Sequence, residues 1–165
     1  IPPFASHYVG VGGVVVNDLN NILVVRERLG KSGESNSFKL PGGTVYAGEH
    51  LSTAVEREVL EETGIRAKFK SIVCFRNQHE YRHGKSDIYF VCHLKPLSHD
   101  ISMQVEEIAE CEWMPLDDYL NSLSVSTFNK TIVQVTVRNA GLKNVHLEGY
   151  NDTDKREFFM PNLGD

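Results

Sequence analysis

The chain has 165 residues, enough for one domain with its own core, and 41% hydrophobic against 24% charged residues is an ordinary globular balance. A net charge of −5 disfavours nucleic acid and anionic membrane as main partners, because both select basic surfaces. No apolar run approaches the roughly 20 residues of a membrane span, and Cys74, Cys92 and Cys111 form no C-x-x-C pair, which fits free thiols in a reducing compartment. The expected location is the cytoplasm, with mitochondrion and nucleus left open.

In chain order, residues 9–16 and 22–25 are β-rich and read as a hairpin about the Asn-rich turn at 17–21. Residues 29–36 read as a polar surface loop. Gly30-Lys31-Ser32 superficially resembles the end of a P-loop, but Val25 stands where that motif needs glycine. Residues 38–40 lead into a sharp break at Pro41-Gly42-Gly43. Residues 51–63 have helical periodicity and stop at Gly64, the residue type that ends helices most readily. Residues 66–76 and 86–94 predict two strands around a polar loop containing His79 and His83, and 110–114 predicts another strand. Pro115 opens a short helix to 123. Phe128, Ile132 and Val135 recur at helical spacing within 127–139. Residues 145–160 suggest a hairpin turning at 151–154. Strands and helices in this order predict an α/β domain with a mixed sheet flanked by helices.

The segment 43–65 carries the chemistry. At about 100° per residue, Glu58, Glu61 and Glu62 share one face of the predicted helix, while Val55 and Val59 lie on an adjacent face suited to packing on a sheet. Like charges so close cost a few tenths of a kcal/mol per pair in an exposed helix. A solvated acidic face is the bland reading of such a cluster. A divalent cation gives it a purpose, since carboxylate oxygens are hard ligands suited to Mg²⁺ or Mn²⁺. Gly42 and Gly43 allow a close backbone approach, and a free carbonyl at Gly43 adds a further oxygen donor. Arg57, surrounded by acids, is placed to pair with Glu49 and fix the loop against the helix.

The full spacing is G-x5-E-x7-R-E-U-x-E-E-x-G-U, with U aliphatic, met by Gly43, Glu49, Arg57, Glu58, Val59, Glu61, Glu62, Gly64 and Ile65. It is similar to the Nudix box, and by it the chain is identified as a member of the Nudix hydrolase family. The resemblance implies an α/β/α sandwich around a mixed sheet. It also implies Mg²⁺-dependent (or Mn²⁺-dependent) hydrolysis of a nucleoside diphosphate linked to another moiety. It assigns Glu58, Glu61 and Glu62 to the metal, together with Gly43 and Glu49, and gives Arg57 an orienting place in the catalytic set.

Ser6-His7, Val9-Gly10-Val11-Gly12, Phe38-Lys39-Leu40-Pro41, Phe75-Arg76, Asp87-Ile88 and Trp113-Met114-Pro115 extend the likeness to about residue 120. They resemble a eukaryotic subgroup that includes plant ADP-ribose/NADH pyrophosphatases and the vertebrate protein encoded antisense to basic fibroblast growth factor. The subgroup carries an N-terminal domain before this stretch. Residues 1–165 are therefore expected to be a single Nudix domain and the C-terminal piece of a longer protein. ADP-ribose or NADH is the expected substrate, and a small nucleotide the expected partner, with homodimerisation open. A non-catalytic binding module, a cap hydrolase and a diadenosine polyphosphate hydrolase are the alternatives.

A general base outside the helix is common in the family, and Glu106 and Glu107 are candidates, with Glu107 preferred. Arg76, His79, Arg82, His83 and Lys85 could meet substrate phosphates, and Phe38, Tyr46, Tyr81 and Tyr89 could stack on a base. Of these, Arg76, His79 and Phe38 are the substrate-binding candidates. His79 and His83 have zinc-like spacing, but on a predicted loop that spacing builds no site.

Overall fold

The computed structural model describes residues 3–29, 37–150 and 152–162. The loop expected at 29–36 and the Gly30-Lys31-Ser32 run lie almost wholly outside them. The elements follow the order β1 (His7–Val15), β2 (Asn21–Glu27), β3 (Gly42–Thr44), α1 (Leu51–Thr63), β4 (Ala67–Arg82), β5 (Lys85–Pro96), β6 (Ile108–Pro115), α2 (Leu116–Asn121), α3 (Thr127–Arg138), β7 (Lys143–Asn144) and β8 (Phe159–Met160).

The main sheet has the order β3-β1-β5-β4. β1 runs parallel to β5, and the other pairs are antiparallel. β2 and β6 form a separate antiparallel pair. Alternation along each strand sends side chains to opposite faces. Val11 and Val15 of β1 therefore join Ala54, Val55 and Val59 of α1 in one core. Val14 of the same strand joins Leu116, Tyr119, Ile132 and Val133 of α2 and α3 in a second core on the other side. The result is the expected α/β/α sandwich with a mixed sheet, and Val55 and Val59 pack on the sheet as their spacing predicted.

Four local expectations need correction. β1 and β2 turn about Asn17, whose Oδ1 accepts from Leu19 N and Asn21 N. They share only the Val16–Ile22 bridge, however, and then part into different sheets. Both strands are buried on two faces, so each finds longer partners elsewhere, and sequence adjacency does not decide pairing. Gly42–Thr44 is no break but an extended strand paired with β1.

The loop expected between the fourth and fifth strands is instead a long hairpin. It pairs as far as Arg82 with Lys85 and turns at His83 and Gly84, both at positive φ. Its tip is exposed on both faces, so no apolar alternation marks it. Among the described residues of the 145–160 segment the hairpin is short, with Lys143–Asn144 paired to Phe159–Met160 and one further bond from Val145 N to Phe158 O, and the longer arms are not seen.

Candidate functional site

Helix α1 is set against β3, and two contacts fix that approach. Gly42 N–H donates to Glu62 Oε2 at 3.1 Å. A Cβ on Gly43 would stand 2.6 Å from the Glu58 carboxyl, so only glycine lets this carboxylate lie on the strand. At the C-terminal end of α1, Gly64 adopts φ 74 and returns its N–H to Leu60 O at 2.8 Å, closing the helix as a left-handed cap.

Arg57 ties the acids together. Its Nε and Nη2 grip both oxygens of Glu49 at 2.7 and 2.9 Å, and its Nη1 donates to Glu58 Oε1 and Glu61 Oε2 at 3.0 and 3.1 Å. Nη2 also donates to Thr44 O at 3.0 Å, and the guanidinium lies 4.1 Å from the centre of the Tyr46 ring. The hydrogen bonds to Glu49 push the Arg57 pKa up, and the same contact holds the Glu49 carboxyl below its usual range. Glu49 Oε1 also accepts from Tyr46 N at 3.1 Å. Both Glu49 oxygens are thus committed. In this arrangement Glu49 clamps Arg57 through a bidentate, charge-assisted pair.

Glu62 is 4% exposed. Its burial raises the pKa to about 7, against the pull of Lys39 and of the Gly42 N–H, with Glu58 and Glu27 adding repulsion. Glu58 is raised as well, first by burial, then by Glu61 and Glu107, with Arg57 opposing. Burial of adjacent carboxylates is costly without a cation.

The donor set fits a hard divalent ion. Glu58, Glu61, Glu62 and the Gly43 carbonyl all offer oxygen, the ligand type Mg²⁺ and Mn²⁺ select. Among the described residues, no three acidic, imidazole or thiol side chains already converge as a closed cage. Arg57 takes one oxygen of each of Glu58 and Glu61, and their other oxygens would serve the ion.

Beyond β3 lies a cavity of about 540 Å³. Gly42, Gly43 and Thr44 form part of its wall, with the cations Lys39, Arg76 and Arg82 and the rings of Tyr8, Tyr89 and Phe128 around it. Arg76 bonds Asp87 Oδ2 at 2.9 Å, and its guanidinium lies 5.5 and 5.8 Å from the Tyr89 and Phe128 ring centres. Arg76 is a wall residue, and Tyr81, Arg82 and His83 join it from the hairpin tip. His79 and Phe38 are not. His79 Nδ1 is held by the Ser86 hydroxyl at 2.9 Å, and Phe38 packs against the second core. Neither side chain lines the cavity.

Glu107 is exposed on a loop whose ends are pinned. Its carbonyl accepts from Arg28 N at 2.8 Å, and Gln104 N donates to Glu62 O at 3.1 Å. This brings Glu107 into electrostatic reach of Glu58. Trp113 is structural, donating from Nε1 to His99 O at 3.0 Å. Sequence reasoning missed Lys39, Asp87 and Phe128. Lys39, next to Pro41-Gly42-Gly43, was the one with a readable signal.

The NUDIX domain model matches residues 6–135. Nudix hydrolase 2 of Arabidopsis thaliana is 42% identical over 128 residues, covering 78% of this chain and 46% of that protein. Nucleoside diphosphate-linked moiety X motif 6 of Xenopus laevis is 42% identical over 132 residues, covering 77% and 59%. The chain spans about half the length of the curated relatives it matches. Among solved structures, a NUDIX hydrolase from Nitrosomonas europaea has a TM-score of 0.71 at 19% identity, covering 92% of this chain and all of that one. A MutT protein from Methanosarcina mazei Go1 has a TM-score of 0.67 at 23% identity, covering 83% and 97%. These two likenesses concern the fold.

Proposed function

The chain belongs to the NUDIX family, and on that premise we propose that it cleaves the pyrophosphate of ADP-ribose or NADH, releasing AMP. One observation supports the reading most. Gly42 and Gly43 carry the buried Glu62 and part-buried Glu58 carboxylates of α1 on one side and form part of the wall of an aromatic, cation-lined cavity on the other. A nucleotide in the cavity would bring its pyrophosphate to the glycines, where the acids are.

Glu58, Glu61, Glu62 and the Gly43 carbonyl hold the divalent ion, which supplies Lewis acidity toward the pyrophosphate. Arg57 keeps Glu58 and Glu61 aimed and does not meet substrate. Lys39 and Arg76 offset phosphate charge, an effect strengthened in a partly water-excluded cleft. Tyr89 and Phe128 offer ring faces to the base. Glu107 receives the proton from the attacking water. The subgroup likeness carries the choice of ADP-ribose and NADH. The cavity chemistry, with anion-binding and stacking groups together, suits that class.

The test is turnover of ADP-ribose, NADH, diadenosine polyphosphates, coenzyme A and capped RNA with Mg²⁺, Mn²⁺ or chelator. Metal-dependent release of AMP from ADP-ribose or NADH is the expected result. Preference for another substrate of the panel would overturn the substrate assignment, and metal-independent turnover would overturn the site.

A further inference from the structure

Past residue 135, where the family match ends, the chain returns to α1. The first N–H groups of any helix lack intrahelical partners. His50, at the N-cap, gives them no side-chain bond. The partner comes from far away. Leu51 N–H donates to Glu157 Oε2 at 2.7 Å and Ser52 N–H donates to Glu157 Oε1 at 3.0 Å. The Ser52 hydroxyl donates to the same Oε1, and His50 Nε2 donates to the Thr153 carbonyl. The Glu157 side chain is 7% exposed.

The strap that carries Glu157 is itself anchored. Val145 N donates to Phe158 O at 2.9 Å, Phe159 meets Phe69 edge-on at 5.6 Å, and Ile72 and Leu142 exchange backbone bonds at 2.9 and 2.8 Å.

We propose that Glu157 is a positioning residue for the metal-binding helix. A carboxylate at a helix N-terminus satisfies free donors and meets the positive end of the helix dipole. Leu51 is two residues from Glu49, and Glu49 grips Arg57, which in turn holds Glu58 and Glu61. Fixing the first turn of α1 therefore fixes the register of the clamp that aims the ligands. Without the cap the first turn frays, and Glu49 loses its fixed place relative to Arg57. The inference rests on the reading of α1 as the metal helix.

Glu157→Gln keeps the shape but removes the charge and sets an amide N–H₂ against one backbone donor. Ile22→Val, in the second core, serves as a variant of comparable stability loss that touches neither strap nor helix. Mn²⁺ alone is titrated by calorimetry and ADP-ribose turnover is measured, both at a temperature where all three proteins are folded. Glu157→Gln is expected to weaken Mn²⁺ binding roughly fivefold, the equilibrium equivalent of one lost cap. kcat should fall by a similar factor with KM for the nucleotide unchanged, while Ile22→Val keeps wild-type values. Unchanged Mn²⁺ affinity in Glu157→Gln overturns the proposal, as does an equal weakening in Ile22→Val. Should the wild type turn over no nucleotide, the pyrophosphatase reading fails while the Mn²⁺ titration still decides the role of Glu157.

Discussion

The two ends of α1 are built by different means. At the C-terminal end the side-chain and glycine devices are local, although Thr63 O and Glu62 O also accept from Ser102 N and Gln104 N at 2.9 and 3.1 Å. Gly64 turns the chain at positive φ, Thr63 Oγ1 donates to Val59 O, and Ile65 N donates back to Thr63 Oγ1. At the N-terminal end the capping carboxylate stands 106 positions away from Leu51, on a segment outside the family match. The acids of α1 lie between these two ends, the first turn being held by the strap that carries Glu157. One end is thus held mainly by its own residues together with the 102–104 segment, and the other is open to change without altering the sequence pattern that defines the box.

The largest effect should come from the acids themselves. Glu62→Gln preserves shape, and its amide oxygen can still accept from Gly42 N–H. Turnover should drop roughly 10²-fold or more, as loss of a key charge-stabilising group does. The fold should stay intact, because the variant removes a buried carboxylate whose pKa is pushed up to about 7. Activity equal to wild type, read beside an unchanged melting curve, would move the metal off this face.

Next comes the clamp. Arg57 is the shared partner of Glu49, Glu58 and Glu61, with a side chain 20% exposed. Arg57→Ala leaves three carboxylates without their cation and should cost about 2 kcal/mol in urea unfolding. Arg57→Lys should recover little, since one ammonium cannot replace the planar fork. Full recovery by lysine would reduce the clamp to a point charge.

Gly64→Ala probes the local end of α1. The left-handed backbone and a Cβ only 2.8 Å from Ser102 atoms predict a loss of about 1–2 kcal/mol. Metal affinity should remain near wild type at temperatures where the variant is folded. If Gly64→Ala weakens Mn²⁺ binding more than Glu157→Gln does, the local end, and not the strap, governs ligand geometry.

The same contrast explains what could be read in advance. The helix, its stop at Gly64, the shared acidic face and the Glu49–Arg57 pair follow from spacings of eight residues or fewer, which helix geometry converts directly into proximity. The layer architecture was legible as an order of elements. Strand partners were not, because β1 and β2 are apolar on both faces and their alternation names no neighbour. The cavity wall draws Arg76, Asp87 and Phe128 from three separate elements and Lys39 from the segment before β3, and only the tertiary fold unites them. Glu157 carries no local mark at all. A lone glutamate among polar residues becomes a cap only because the strap crosses the start of α1.

The smallest expected effect lies in the sheet and concerns pH. Burial lowers the pKa of His93, with Lys70 and Lys143 adding repulsion. The folded state then binds fewer protons than the unfolded chain, so stability should be lost as pH falls through the ordinary imidazole value of 6.5. Above that pH the contribution is absent. Glu62 acts in the opposite sense in metal-free protein. Its carboxyl, raised from 4.5 to about 7, binds a proton more readily when folded, so its contribution to stability grows as pH falls from 7 toward 4.5. The two trends partly cancel in the wild type. His93→Gln removes one of them. The difference in urea midpoint between variant and wild type should therefore shift in favour of the variant on going from pH 7.5 to 5.5. Saturating Mn²⁺ holds Glu62 ionised and should leave that difference in place, which assigns it to His93 in the sheet and not to the acids of α1.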